Sequence, residues 1–188
     1  MTQPAAPQPQ LAPRRARLAD ADAIGAVQVA SWRSTYRGIV PSDYLASMTV
    51  EDHSRRWTRL LLQPGNLELT FVVEEHGQVV GFAMGGPERE GDRRFRGELY
   101  AIYLLEQAQG RGHGRALVEA VAEALLDGGT GSMLVWVLRD NWEARRFYEH
   151  LGGEFLREHD LDFGAGFTLR EVSYGWPDLR RGLAGPAQ

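Results

Sequence analysis

Gln109-Gly110-Arg111-Gly112-His113-Gly114 stands between an apolar run over 99–105 and an amphipathic run over 116–126. That order reads as strand, glycine-rich turn and helix, which gathers several backbone N–H groups at a helix N-terminus. Such an end carries partial positive charge and unsatisfied donors, so it suits a phosphate or pyrophosphate. Glycine lets the backbone approach an anion closely and take left-handed angles without a Cβ penalty. Each charge-assisted bond contributes roughly 1.5–3 kcal/mol. The hexapeptide alone equally fits a tight turn with no ligand. It lacks the Gly-Lys-Ser/Thr of a nucleoside triphosphatase loop. A dinucleotide fingerprint needs a third glycine where Arg115 stands.

A second patch follows downstream: Asn141-Trp142-Glu143-Ala144-Arg145-Arg146-Phe147-Tyr148, then Leu151-Gly152-Gly153. With it the chain resembles the GNAT superfamily of acetyl-CoA-dependent N-acetyltransferases. That family pairs Gln/Arg-x-x-Gly-x-Gly/Ala after its fourth strand with Asn-x-x-Ala-x-x-Phe-Tyr on a later helix. Here Gln109, Gly112 and Gly114 match the first pattern, and Asn141, Ala144, Phe147 and Tyr148 match the second. The resemblance spans about 14–176, and its specificity lies in the combination.

Composition narrows the rest. A chain of 188 residues with 43% apolar content can bury one core, so we expect one domain over 14–176. A net charge of −4 with scattered basic residues argues against nucleic acid. The absence of cysteine excludes disulfides, thiolate metal sites and a cysteine nucleophile. No apolar run approaches the ~20 residues of a membrane span. The Pro/Gln/Ala-rich 1–13 reads as a disordered tail rather than a signal peptide, and 177–188 as a second tail. These features fit a cytoplasmic protein. The five histidines lack metal-ligand spacing, so no metal is expected.

Along the chain, 15–18 reads as a first strand, with Asp20 or Asp22 capping the helix behind it. Arg37-Gly38-Ile39-Val40-Pro41 stops that helix, and Ser42 or Asp43 opens a short one to Met48. Thr49 and Asp52 resemble a capping box for a helix to about Gln63. Strands over 69–75 and 78–85 flank a His76-Gly77 turn. Seven of nine residues in 88–96 ionise, which predicts a solvated loop. Further strands fall at 99–105, 133–138, 154–159 and 167–176, with helices at 116–126 and after Asn141. The fold class is thus α/β, a mixed sheet with helices on both faces. The resemblance implies a mostly antiparallel sheet of six to seven strands whose fourth and fifth strands splay apart.

The resemblance also implies the site. Backbone N–H groups of Gly110, Arg111, Gly112, His113, Gly114 and Arg115 would hold the acetyl-CoA pyrophosphate, behind Gln109. The pantetheine arm would run beside Ile102, Tyr103 and Leu104, with the Leu104 N–H polarising the thioester carbonyl. Asn141 would bond the arm, although a plain helix cap explains it too. Tyr148 matches the general acid, or else packs beside Phe147. A protonated amine acceptor costs about 4.6 kcal/mol to deprotonate at pH 7. Glu98 opens the fourth strand, where many members carry a catalytic acid; the alternative is a solvated strand end. Glu68, Glu74 and Glu75 follow as weaker candidates. On the acceptor side, Trp32 and Tyr36 share a helix face, as substrate contacts or as core. Strand alternation turns Tyr100 and Tyr103 to opposite faces, one toward the site. Trp136, Trp142 and Trp176 read as structural. In His113 the backbone matters more than the ring. The implied reaction is direct attack by a small-molecule or peptide amine on acetyl-CoA. The rivals are a catalytically silent CoA-binding module and a generic mononucleotide domain. Family members are often dimers, but no residue here names an interface.

Overall fold

The computed structural model describes residues 12–66 and 68–183. Seven strands form one sheet in the order β1-β2-β3-β4-β5-β7-β6. They are β1 (Arg14–Arg15), β2 (Thr70–Glu75), β3 (Gln78–Pro87), β4 (Gly97–Leu104), β5 (Met133–Leu138), β6 (Glu154–Asp162) and β7 (Thr168–Trp176). Every pairing is antiparallel except β4 with β5, which is parallel. Helices α1 (Ala21–Thr35), α2 (Ser42–Ser47) and α3 (Val50–Leu61) precede β2. Helix α4 (His113–Asp127) joins β4 to β5, and α5 (Trp142–His150) follows β5.

The two faces carry separate cores. Ile24 and Val27 of α1 and Trp57 and Leu61 of α3 cover Val72, Phe82 and Met84 on one side. Leu117, Val118, Val121 and Leu125 of α4 cover Val73, Leu99 and Val135 on the other. Helix α1 lies so close to α3 that a Cβ on Gly25 would sit 2.7 Å from the Ser54 backbone nitrogen. Thr49 caps α3 by accepting from the Asp52 N–H at 3.2 Å, as its spacing predicts. The β2–β3 hairpin turns at His76 and Gly77, with φ of 51° and 78°. Two left-handed residues in a two-residue loop match the twist of the flanking strands.

The splay between β4 and β5 is present. Only Gly97, Glu98 and Leu99 pair with Met133, Leu134 and Val135; beyond Leu99 the strands part. A bulge accompanies it. Met84 pairs with Ala101 and Gly85 with Leu99, so Tyr100 is an extra residue in β4. Below it, the Gly97 N–H bonds Ser132 O toward β5; above it, the Leu105 N–H bonds Val80 O toward β3. Since directions alternate along a strand, the Ile102 and Leu104 N–H groups face the gap. The bulge also corrects the tyrosine expectation, because Tyr100 and Tyr103 pack on the same face, against the α1 core.

Two segments expected to be loose are packed. In the charged loop over 88–96, Phe95 is fully buried and Asp92 accepts from Arg157 at 2.6 Å. In the tail expected over 177–188, Leu179 and Leu183 are buried in the α4-side core. A 3₁₀ turn, Leu179–Arg181, is fixed there by the Leu179 N–H on Gly131 O at 2.8 Å. Nearly all of the tail expected over 1–13, and 184–188, lie outside the described residues.

Candidate active site

The glycine-rich turn reverses direction through left-handed angles at Gly110 and Gly112, φ 70° and 86°. Helix α4 then starts at His113, three residues before the amphipathic run. The N–H groups of His113, Gly114 and Arg115 fall in its first turn, where a helix supplies no acceptor. A Cβ on Gly114 would lie 3.2 Å from Phe147 Cζ and 3.4 Å from Leu104 Cδ1, so the turn sits tightly between β4 and α5. Glu75, at the end of β2, ties the turn down. Its carboxylate accepts from Arg111 at 2.7 Å and from His113 Nε2 at 2.7 Å. The His113 bond holds that carboxyl below its usual range. The buried His113 ring therefore braces the turn, where the sequence reading gave more weight to its backbone than to its ring. Arg115 bonds Glu119 and the Leu183 carbonyl, at 2.8 and 2.7 Å.

One cavity of about 860 Å³ runs from this turn along the β4–β5 gap. It gathers Gln109, Gly110, Gly112, Gly114, Arg115, Ile102, Tyr103, Leu104, Asn141, Tyr148, Glu98, Tyr100, Trp32 and Tyr36. Arg111 and His113 stand outside its lining and act through Glu75. The Leu104 carbonyl is occupied by Ser31 Oγ at 3.0 Å and Gln109 Nε2 at 3.2 Å. Asn141 caps α5, accepting from the Ala144 N–H at 3.2 Å, while also lining the cavity.

Tyr148 is 4% exposed, and its hydroxyl bonds no other described residue. Burial pushes its phenol well above the ordinary value. Tyr36 and Tyr103 are raised by burial too. Trp32 packs edge-on against Tyr36 at 4.8 Å between ring centroids, so this pair serves both the wall and the core.

Glu98 is 1% exposed, which overturns the solvated strand end. It is not free, however. Arg89 reaches in from the charged loop with both a guanidinium Nη2 contact and an Nε bond of 3.1 Å, and its backbone N–H adds a bond of 3.3 Å. The same guanidinium lies 4.3 Å over Tyr100, whose hydroxyl donates to Pro87 O at 2.5 Å. Of the weaker acids, Glu74 pairs with Arg14 and Glu75 serves the turn; Glu68 is exposed.

Sequence reasoning missed Arg89, Trp136, Phe163 and Glu171 on the cavity wall. Glu171 bonds His159 Nε2 at 2.9 Å, and His159 stacks on Trp136 at 4.1 Å. Alternation along β6 and β7 was the available signal, but only the register shows that His159 faces Glu171. Of the tryptophans read as structural, Trp176 is buried and donates to Leu151 O. Trp142 is 58% exposed, held over by Arg145. Among the described residues, the buried indole N–H groups of Trp32 and Trp136 lack an acceptor, and both line the cavity.

Comparison with known proteins fits this arrangement. The model of the acetyltransferase (GNAT) family matches residues 30–153. An uncharacterized N-acetyltransferase, YuaI of Bacillus subtilis, is 43% identical over 167 residues, covering 88% of this chain and 92% of that protein. The chain belongs to the GNAT acetyltransferase family. As a member, it is an enzyme of the acyltransferase class. A mycothiol acetyltransferase of Rhodococcus opacus is 32% identical over 109 residues, or 57% of this chain and 36% of that protein. Among solved structures, the PaiA N-acetyltransferase of Thermoplasma acidophilum in complex with coenzyme A shares the fold. It has a TM-score of 0.68 and 19% identity, over 87% of this chain and 98% of that one. YncA of Salmonella typhimurium with acetyl-CoA has a TM-score of 0.63 and 20% identity, over 87% and 91%. Among the described residues no helix is long and apolar enough to cross a membrane.

Proposed function

We propose that this chain transfers the acetyl group of acetyl-CoA to a primary amine of a small molecule or peptide, by direct attack within a ternary complex. The supporting observation is the single cavity. It joins the α4 N-terminus, the free edge of β4 and Tyr148 without interruption. The Gly114 contacts, 3.2 to 3.4 Å from an added Cβ, crowd a side chain at that position, which fits a backbone cradle for a diphosphate. Acetyl-CoA bound there would supply an activated acetyl thioester.

The residues divide the remaining work. N–H groups of Gly110, Gly112, Gly114 and Arg115 hold the diphosphate, Arg111 and His113 bracing the turn through Glu75, with Gln109 fixing the end of β4. The Ile102 and Leu104 edge pairs with the extended arm, with Tyr103 behind it, and the Leu104 N–H donates to the carbonyl oxygen. The Asn141 side chain contributes its amide while keeping the cap. Tyr148 donates to the departing sulfur. A free phenol near 10 giving its proton to a thiolate near 8.5 already goes uphill by about 2 kcal/mol. Burial widens that gap, so the phenol acts first as a hydrogen-bond donor and yields its proton late. Trp32, Tyr36 and Tyr100 shape the acceptor end. With no cysteine in the chain, a cysteinyl acyl-enzyme has no nucleophile. A panel of amines with detection of released thiol tests the reading. Thiol release that depends on one amine class supports it; CoA binding without any transfer overturns it.

A further inference from the structure

We propose that Glu171 takes the proton from the acceptor amine and that His159 passes it to solvent. The inference rests on the acetyl-transfer reading above and assigns that site a proton exit. Glu171 stands on the cavity wall directly across the β6–β7 ladder from His159, with His159 Nε2 2.9 Å from its Oε1. The carboxylate side chain is nearly covered, at 13% exposed, whereas the imidazole is 34% exposed. The pair therefore spans the wall from cavity to surface. Stacking on Trp136 fixes the ring plane, so Nε2 stays aimed at Glu171.

Glu98, the buried acid of the cavity, is already engaged: three donors from Arg89 occupy its carboxylate oxygens. The Glu171 carboxylate bonds no arginine among the described residues. Burial raises its pKa, opposed by His159 on β6 and helped by Glu90 of the charged loop and Glu98 on β4. Tyr36 of α1 feels its charge as well. Around His159 stand Asp160, Glu171 and Trp136, with Arg157 over the indole.

The step balances. An N–H bond of the ammonium breaks, its electron pair stays on nitrogen, and an O–H bond forms on Glu171. At rest Nε2–H donates to the carboxylate; once Glu171 is protonated the ring exchanges through water to its neutral Nδ1–H form, accepts the proton on Nε2 and releases the Nδ1 proton to water, which restores the Nε2–H donor. The amine's second proton ends on the departing sulfur, so one proton is released per transfer.

The test compares Glu171→Gln, His159→Ala and Glu98→Gln with wild type, measuring acetyl-CoA affinity by calorimetry and kcat against pH. With a base lost, kcat of Glu171→Gln falls about 10²–10³-fold at neutral pH with unchanged acetyl-CoA affinity. The deficit shrinks as pH approaches the amine's own pKa, where free amine is already present. His159→Ala falls about 10-fold and recovers in added imidazole. An active wild type with Glu171→Gln tracking it in parallel at every pH overturns the inference alone, as does His159→Ala without imidazole rescue. So does the pH-dependent deficit moving to Glu98→Gln. A wild type that binds acetyl-CoA but acetylates no amine overturns the parent reading, and this one with it.

Discussion

Tyr148 and Gly114 are the positions where one atom decides between binding and turnover. The Tyr148 hydroxyl has no partner among the described residues, so Tyr148→Phe leaves a well-packed ring and changes stability by less than about 1 kcal/mol. We expect kcat to fall about 10–100-fold while acetyl-CoA affinity moves less than about twofold; stopped-flow thiol detection and calorimetry measure the two. A wild-type kcat removes the phenol from the mechanism. Gly114 works in the other direction. Gly114→Glu brings bulk against Phe147 and a negative charge to the anion end of α4. The thermal shift on adding coenzyme A should vanish, and an unaltered shift refutes the cradle. Both positions were legible in the sequence, because turn glycines and a helix motif are local patterns. Arg89 and Glu171 were not. Each reaches the cavity through folding that brings distant segments together, from a loop turned back on β4 and from a cross-strand pair.

The glycine-rich turn behaves as part of β2 as much as of α4, since one carboxylate bonds both Arg111 and His113. The Glu75 pKa is depressed in the folded protein, first by the His113 bond. Its contribution is therefore complete above the ordinary carboxylate range and is lost as pH falls through the lowered folded value. Glu75→Ala should weaken coenzyme A binding several-fold at pH 7 with unchanged far-ultraviolet dichroism. Wild type should approach the variant's affinity as the pH drops below that range. Parallel titration curves for the two proteins rule out the tie. The elements themselves were readable from periodicity. Their details failed where a strand broke its own rhythm: alternation through Tyr100 assigns the two tyrosines to opposite faces, and the bulge places them together.

For the molecule as a whole, the two-sided sheet and its parted strands followed from the order of apolar runs and the family resemblance. The chain end did not. Leu179 and Leu183 are two apolar residues set among arginine, glycine and proline, too short a pattern to read as packing. Yet both are buried against the α4-side core, and the Leu183 carbonyl holds Arg115 beside the turn. At about 1.5–3 kcal/mol per buried leucine, a chain ending at Asp178 should lose roughly 3–6 kcal/mol of stability. Chemical denaturation reads this directly, and a loss under about 1 kcal/mol contradicts the packing.

The extra residue at Tyr100 has a consequence of parity. Below it, the odd-numbered amides of β4 face the neighbouring strand; above it, the even-numbered ones do. Beyond the inserted residue the seam stands open, offering to a guest the donors that an ordinary strand would spend on its neighbour.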